Sequence, residues 1–179
     1  PLADLLAALR RGDCAGARAL RFPPGLTEFP PEILGLADTL ELLDLSGSRL
    51  ADLPAGFGRL RHLRVLFCSG SRFTRLPPVL GDCPALSQVG FRGTGLTEVP
   101  GEALPPALRW LTLTDNRIAT LPEALGARPQ LQKLMLSGNA LERLPESLAG
   151  APNLELVRLA AKLAEEDQGL RKPMMQMLD

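Results

Sequence analysis

Leucines recur along the chain at spacings that fit neither an α-helix nor a simple strand. Residues 108–122 read LRWLTLTDNRIATLP, and the same pattern returns at 40–54 and 131–145. Looser copies lie at 63–77 and 86–100. Successive copies begin at Leu40, Leu63, Leu86, Leu108, Leu131 and Leu154. These starts are separated by 23, 23, 22, 23 and 23 residues, and a fixed period of this length predicts a stack of similar structural units.

Within each unit, the alternation of apolar and polar residues predicts one short strand. Leu111 and Leu113 are expected to point inward and Thr112 outward, because side chains alternate between the two faces of a strand. A proline closes each pattern, and proline suits the first position of a helical turn. The pattern is that of a leucine-rich repeat. We therefore expect an α/β fold, a leucine-rich repeat solenoid shaped as a curved right-handed horseshoe, with a parallel sheet on the concave face and short helical or 3-10 turns on the convex face.

The turn after each strand differs between the two halves of the chain. Asn116 and Asn139 occupy a position from which an amide side chain can bond to the backbone of the turn. Ser48, Ser71 and Thr94 take the same position in the earlier copies. A hydroxyl has a shorter reach and lacks the second group of an amide. We therefore expect looser turns in the N-terminal half.

The pattern divides the chain into three parts. Residues 1–16 predict a helical N-terminal cap that ends near Gly12, residues 17–160 form the repeats, and residues 161–179 leave the pattern. The last part is either a capping helix, a poorly ordered tail or part of a further domain. In the first case its apolar side chains would cover the last coil; these are Met174, Met175, Met177 and Leu178.

Composition excludes several classes of partner. The 20 basic and 20 acidic residues cancel, so no broad attraction to nucleic acid or to an anionic membrane is expected. No apolar run approaches the roughly 20 residues that span a bilayer. Cys68 and Cys83 stand at inward positions and are expected to be buried thiols, while Cys14 lies alone near the N-terminus. Three scattered cysteines form no disulfide framework, so we expect a cytoplasmic protein.

No catalytic pattern is found in the sequence. His62 is the single histidine and falls in a loop between two units, so no Ser-His-Asp or Cys-His set can be assembled around it. A phosphate-binding glycine loop and a zinc-ligand spacing are both absent. The sequence therefore predicts a protein that is not an enzyme, with no cofactor, no metal and no small-molecule substrate.

The outward strand positions form the candidate binding surface. They combine apolar residues with surrounding charges, which is the usual composition of a protein interface. We predict three apolar anchors, namely Phe67, Trp110 and Met135. Six charged residues are predicted to orient a partner protein, namely Arg64, Arg92, Arg109, Lys133, Asp44 and Asp115. Gly90 is expected to leave a dip beside Trp110 that a partner could enter. The alternative is that Trp110 lies over Gly90 and shields its backbone, with Phe67 closing the other side.

The repeat resembles the intracellular 23-residue Leu-Pro class of Ras-pathway scaffold proteins, plant Ras-group repeat proteins and Roco proteins. Residues 15–160 are also similar to the repeat domain of bacterial leucine-rich-repeat protein kinases. That likeness is carried by "GLTEFPPEILGLADTLELLDLSG", "LRVLFCSGSRFTRLP", "ALPPALRWLTLTDNRI" and "LQKLMLSGNALERLPESLA". The resemblance implies a substrate-binding or regulatory domain of a Ser/Thr protein kinase, or a small-GTPase-pathway scaffold. The main expectation is a module that binds a partner protein on its concave face.

Overall fold

Short strands and 3-10 segments alternate along the chain. The computed structural model describes residues 1–159, so the predicted C-terminal cap or tail at 161–179, with its methionines, lies outside the described residues. The helix α1 spans Leu2–Arg11. The strands are β1 (Ala19–Arg21), β2 (Leu42–Asp44), β3 (Val65–Phe67), β4 (Gln88–Gly90), β5 (Trp110–Thr112), β6 (Lys133–Met135) and β7 (Leu156–Arg158). The 3-10 segments are Pro31–Leu36, Ala55–Arg59, Pro78–Asp82, Gly101–Ala103, Glu123–Ala127 and Glu146–Gly150.

The seven strands form one open parallel sheet in chain order, β1 to β7. Leu42 pairs with Val65, 23 residues later, whereas Gln88 pairs with Trp110, 22 residues later. The spacing of the leucines in the sequence therefore equals the spacing between paired residues of neighbouring strands. The predicted fold class is confirmed: a leucine-rich repeat solenoid with the sheet on its concave face and the 3-10 segments on its convex face.

The core runs through the interior of the coils as one continuous stack. Leu43, Leu66 and Leu111 stand at the centres of their strands and are 0% exposed. Cys68 and Cys83 are also fully buried, as their inward positions predict. Each of the buried leucines contributes roughly 1.5–3 kcal/mol relative to an exposed one. Since no coil encloses its own interior, this stabilisation depends on the neighbouring coils.

The N-terminal helix covers the open end of the first coil. Leu9 is buried, and the other leucines of α1 pack against the core. The helix ends at Gly12, whose φ of 80° is a left-handed conformation that glycine adopts without steric cost. Its N–H lies 3.1 Å from the carbonyl oxygen of Leu9.

The convex face is held together by close contacts between successive 3-10 segments. Pro54, Pro77 and Pro122 each stand immediately before a segment, not at its first position as predicted, and all have an extended ψ. Glycine within the segments permits the approach of the next coil. A Cβ added to Gly81 would lie 1.9 Å from the carbonyl oxygen of Glu102. The backbone spacing of the coils is therefore set in part by this glycine.

Asn116 ties its own coil to the preceding one. Its Oδ1 accepts hydrogen bonds from the backbone N–H groups of residues 94–96, at 2.9–3.1 Å. Its Nδ2 donates to the carbonyl oxygens of Phe91 and Leu113, at 2.7 and 2.9 Å. The side chain is only 7% exposed, so these bonds satisfy backbone groups that water does not reach.

The serines at the equivalent position make fewer bonds. Oγ of Ser48 accepts one, from the N–H of Leu50 at 3.3 Å, and Ser71 donates one to the carbonyl oxygen of Cys68. Both partners belong to the same coil as the serine. The side-chain bonds between coils that Asn116 supplies are therefore missing at these two turns.

Candidate binding face on the sheet

Three columns of side chains cross the strands and form the concave face. The first column consists of the residue before each strand: Arg18, Glu41, Arg64, Ser87, Arg109, Gln132 and Glu155. The second column consists of the first residue of each strand: Ala19, Leu42, Val65, Gln88, Trp110, Lys133 and Leu156. The third column consists of the last residue of each strand: Arg21, Asp44, Phe67, Gly90, Thr112, Met135 and Arg158.

Trp110 lies on this face, outside the core, and its indole ring is held by its neighbours. The indole N–H donates a hydrogen bond of 2.8 Å to Oε1 of Gln132. Lys133 Nζ lies 4.7 Å from the ring centroid, and Arg109 Cζ lies 5.5 Å from it. Both distances fall within the range of attraction between a cation and an aromatic ring. The structure thus brings three of the predicted site residues, Arg109, Trp110 and Lys133, into one cluster.

The expected dip at Gly90 is absent because Phe67 fills it. A Cβ added to Gly90 would lie 3.0 Å from Cδ1 of Phe67, and no atom of Trp110 lies within 4 Å of that position. Gly90 itself is buried. The structure therefore shows no open dip at Gly90, and Trp110 does not shield it; of the two sequence-based interpretations, only the placement of Phe67 against Gly90 is confirmed. The ring of the preceding coil covers the glycine instead.

The three predicted anchors do not form a single cluster. Phe67 and Met135 stand in the third column on β3 and β6, three strands apart, which corresponds to about 14 Å at the usual strand spacing. Trp110 stands in the second column on β5, beside the strand that carries Met135. All three side chains are half-buried. They mark two apolar areas of one face.

The predicted orienting residues at the turn edge already have partners within the chain. Arg92 Nε lies 3.4 Å from Oδ2 of Asp115. Asp115 has φ of 59° and takes the turn position that glycine occupies in four other coils, Gly47, Gly70, Gly93 and Gly138. Asp44 accepts a hydrogen bond of 2.9 Å from the N–H of Ser46. These three charged residues therefore shape turns, whereas Arg64, Arg109 and Lys133 project from the sheet.

A groove crosses the first two columns between β2 and β5. Its volume is about 320 Å³. It is lined by the residues that precede these four strands and by the first residues of the strands themselves. The first column contributes Glu41, Arg64, Ser87 and Arg109 to the lining, and the second column contributes Leu42, Val65, Gln88 and Trp110. The groove therefore combines apolar side chains with two arginines and one glutamate.

Gln132 is a site residue that the sequence analysis missed. Its Oε1 accepts from Trp110 and also from Nη2 of Arg109 at 3.1 Å, and its Nε2 donates to Glu155 at 2.9 Å. One amide side chain therefore fixes both the indole and a guanidinium. The register pairs Trp110 with Lys133 and thereby places Gln132, 23 residues after Arg109, beside Trp110. The spacing of 23 residues from Arg109 was therefore the signal that could have found Gln132.

Burial determines the chemistry of the inward thiols. Burial, and to a lesser extent the charge of Asp44, raises the pKa of Cys68 well above its ordinary value. Burial, followed by the charge of Asp82, raises the pKa of Cys83 to about 12. Both thiols therefore stay protonated at neutral pH. Among residues 1–159, no group of three or more His, Cys, Asp or Glu side chains is placed to hold a metal ion.

No helix in the described part of the chain is long and apolar enough to cross a membrane.

Comparison with known sequences identifies the repeat. Residues 106–161 match the family model for the leucine rich repeat. Podocan of Mus musculus is 32% identical over 118 residues, which cover 64% of this chain and 18% of podocan. The leucine-rich repeat-containing G-protein coupled receptor 5 of Rattus norvegicus is 36% identical over 108 residues, which cover 58% of this chain and 12% of the receptor. The chain thus spans less than a fifth of either relative.

Solved structures share the fold at lower identity. A plant peptide hormone receptor, RGFR1, in complex with RGF2, aligns with a TM-score of 0.64 at 21% identity, over 86% of this chain and 27% of the receptor chain. A leucine-rich repeat protein of Leptospira interrogans aligns with a TM-score of 0.52 at 24% identity, over 79% of this chain and 44% of that chain. The repeat, the fold and these matches support one conclusion: this chain folds as a leucine-rich repeat solenoid, and residues 106–161 carry the repeat of that family.

Proposed function

We propose that the chain is a protein-binding module, not an enzyme, and that a partner protein binds on its concave face. Leucine-rich repeat proteins generally act in protein–protein interaction. The observation that carries the proposal is the placement of Trp110 on the outward face, half-buried beside a groove and held by Gln132. Tryptophan and arginine are the commonest energetic anchors of protein interfaces.

The fixed ring supports a binding role in a second way. A side chain that is already ordered loses little rotamer freedom when a partner covers it, so less of the interaction free energy is lost on binding. Phe67 and Met135 extend the apolar area, and Arg64 lies at its edge. An apolar centre with a charged surround is the composition of a typical interface.

The proposal also includes the finer expectations of the sequence. The cytoplasmic location stays a prediction, supported by Cys68 and Cys83, which are free, buried thiols in separate parts of the core. The 23-residue intracellular class stays a prediction as well. In two alternatives the concave face would also be the binding surface. These are a substrate-binding or regulatory domain of a Ser/Thr protein kinase and a small-GTPase-pathway scaffold.

A pull-down with crosslinking from source-cell lysate tests the proposal. The wild-type chain is compared with the concave-face variant Trp110→Ala/Phe67→Ala. The matched control is Leu34→Ala/Val79→Ala, which truncates two half-buried apolar residues in the 3-10 segments of the convex face. Thermal denaturation of all three proteins tests whether each variant is as stably folded as the wild type.

The expected result is a partner that the wild type and the convex-face variant recover and the concave-face variant loses. Recovery that survives Trp110→Ala/Phe67→Ala, or that both double variants lose equally, would mean that the concave face is not the binding surface. An early melt of the concave-face variant alone would mean that Trp110 and Phe67 serve mainly to stabilise the sheet.

A further inference from the structure

The concave face is positively charged although the whole chain is neutral. Its three columns hold six basic side chains and three acidic ones. The basic side chains are Arg18, Arg21, Arg64, Arg109, Lys133 and Arg158, and the acidic ones are Glu41, Asp44 and Glu155. This leaves an excess of three positive charges on one face. A partner that complements the face therefore carries negative charge.

The positive charges around the groove have no carboxylate partner among residues 1–159. Arg18 pairs with Glu41 at 3.5 Å, which neutralises one end of the first column. Arg64, Arg109 and Lys133 form no ion pair within this part of the chain. Arg109 bonds to the neutral amide of Gln132 and lies near the indole ring instead. The groove thus offers two exposed guanidinium groups for a carboxylate to bind.

A small residue separates the two arginines. Ser87 lies between Arg64 and Arg109 in the first column, one strand from each, which is about 4.8 Å at the usual spacing. Its hydroxyl turns away and donates to the backbone carbonyl of Arg64 at 3.2 Å. The short side chain leaves room above it. A carboxylate placed over Ser87 would have Arg64 on one neighbouring strand and Arg109 on the other. The Arg109 guanidinium bonds to Gln132 in this structure, so it would turn toward Ser87 when the carboxylate binds. Arginine is well suited to bind a carboxylate through paired N–H groups.

The neighbouring column offers an apolar position directly beside this one. Gln88, half-buried, lies between Val65 and Trp110 in the register of the sheet. An apolar side chain placed over Gln88 would contact the isopropyl group on one side and the indole on the other. The two positions belong to consecutive residues, so they would receive neighbouring groups of one ligand.

We propose that this groove binds an extended segment of a partner protein in which an acidic side chain is followed or preceded closely by an apolar one. The carboxylate lies over Ser87 between Arg64 and Arg109, and the apolar side chain lies between Val65 and Trp110. This inference rests on the proposed protein-binding function and specifies the chemistry of the partner. The groove crosses four strands, about 14 Å, which an extended segment of four or five residues spans.

The shape of the site favours a peptide over RNA. Single-stranded RNA binding relies on successive aromatic platforms, whereas here Trp110 is the one aromatic side chain that lines the groove. Glu41 also lines it and would repel a continuous phosphate backbone. A single acidic side chain over Ser87, in contrast, places its negative charge between the two arginines and not beside Glu41.

Selection from a display library of random nonapeptides tests the proposal on the whole 179-residue chain. The groove variant is Arg64→Glu/Arg109→Glu. The matched control is Arg21→Glu/Arg158→Glu, which makes the same change of charge on the same face but outside the groove. A third variant, Trp110→Ala, removes the indole from the groove. The selected peptides are then synthesised with a fluorescent label, and their dissociation constants are measured by anisotropy at two salt concentrations.

The expected result is enrichment of Asp or Glu next to an apolar residue. The selected peptide binds about tenfold or more weakly to the groove variant, while the control variant changes its affinity only a few-fold. A Gln or Asn substitution in the peptide gives the same loss with the wild type and little further loss with the groove variant. Trp110→Ala removes the preference for the apolar residue but keeps the preference for the acid.

Other outcomes overturn the inference, and they separate it from the proposed function. Peptides without acidic enrichment that still lose binding with Trp110→Ala would leave the concave face as a binding surface and reject the acidic partner. Equal losses with the groove and control variants would mean that the field of the whole face acts, not this groove. Binding of labelled oligo(U) that depends on Arg64 and Arg109, with no peptide selected, would assign the groove to nucleic acid and reject both proposals.

Discussion

The indole N–H of Trp110 and Oε1 of Gln132 are joined by a hydrogen bond of 2.8 Å between neighbouring coils. The same oxygen accepts from Arg109, and the amide nitrogen of Gln132 donates to Glu155. These bonds connect three successive coils on the concave face, those of β5, β6 and β7. Since Trp110 carries the proposed function, the residue that orients it has a measurable effect.

Replacing Gln132 by alanine should free the indole while leaving the fold intact. Trp110 is the only tryptophan of the chain, so its fluorescence reports this position alone. We expect Gln132→Ala to shift the emission maximum to longer wavelength and to lower the anisotropy. The free energy of unfolding should fall by no more than about 1 kcal/mol, since the bond is partly exposed.

Gln88→Ala is the matched control for this measurement. Gln88 flanks Trp110 on the other side in the register, and its side chain makes no hydrogen bond within residues 1–159. Emission that is the same in Gln132→Ala and Gln88→Ala would mean that cation contacts and packing, and not the hydrogen bond, hold the ring.

A methyl group at Gly81 should destabilise the solenoid from its convex side. The added Cβ would lie 1.9 Å from the carbonyl oxygen of Glu102, which is backbone and cannot rotate away. The neighbouring coil must shift to relieve the overlap. We therefore expect Gly81→Ala to lower the free energy of unfolding, measured by urea denaturation, by about 1–3 kcal/mol.

Gly35→Ala makes the same substitution at a 3-10 segment where nothing lies within 4 Å of the added Cβ. This control should be neutral, or stabilising by up to about 1 kcal/mol through the unfolded chain. Equal stabilities of the two variants would show that the convex spacing is not limited by Gly81.

The sequence predicted the columns of the concave face because its period is also the register of the strands. Residues 23 apart, such as Leu42 and Val65, are neighbours in the sheet, and the one step of 22 moves Trp110 into line with Gln88. Burial of Cys68 followed from its inward position in the same way. The left-handed Asp115 was also visible in principle, since it aligns with a turn glycine in the other coils.

The repeat pattern did not predict the directions in which the side chains point. Phe67 leans toward the following coil and covers Gly90, and no alternation of apolar and polar residues encodes that direction. The bond from Trp110 to Gln132 likewise depends on rotamers that neighbouring coils set together. A repeat fixes which residues are neighbours, whereas the packing of particular side chains decides which of them touch.

Asn116 should matter more to stability than the serines at the equivalent turns. Replacing Asn116 by alanine would leave the N–H groups of residues 94–96 and the carbonyl of Phe91 without their side-chain partner. Unsatisfied buried groups cost roughly 1–3 kcal/mol each, and relaxation with entering water offsets part of this. We expect Asn116→Ala to lower the free energy of unfolding by about 2–4 kcal/mol.

Ser48→Ala should cost about 1 kcal/mol or less, because its hydroxyl accepts a single long hydrogen bond from Leu50. Hydrogen exchange adds a local measurement: the amides of residues 94–96 should exchange faster in Asn116→Ala than in the wild type. If Asn116→Ala costs no more than Ser48→Ala, the bonds between coils add nothing to the stack.

Stability should fall as the pH rises above about 9, because two buried thiols resist ionisation in the folded chain. The ordinary thiol pKa is 9.0, and burial raises the pKa of Cys83 to about 12 and that of Cys68 well above 9.0. Below pH 9 both thiols are protonated whether the chain is folded or not, so the stabilising contribution is fully present. Above pH 9 the unfolded chain loses these protons while the folded chain keeps them, up to about pH 12 in the case of Cys83, and this difference favours unfolding. The slope of the free energy of unfolding should therefore steepen above pH 9 toward a limit of about 1.4 kcal/mol per pH unit for each thiol.

Urea denaturation at pH 7.5, 9.5 and 10.5 measures this slope, at values of pH chosen to bracket the ordinary thiol pKa. Few other groups interfere, since the chain has no tyrosine and only three lysines. Cys68→Ala/Cys83→Ala should be less stable at every pH because it leaves cavities, but its free energy of unfolding should depend much less on pH over this range. The two proteins are therefore compared by how steeply their free energy of unfolding changes with pH, and not by its value at one pH. A slope that the double variant keeps would assign the alkaline loss of stability to other groups, and would mean that the two thiols ionise as readily in the folded coils as in the unfolded chain.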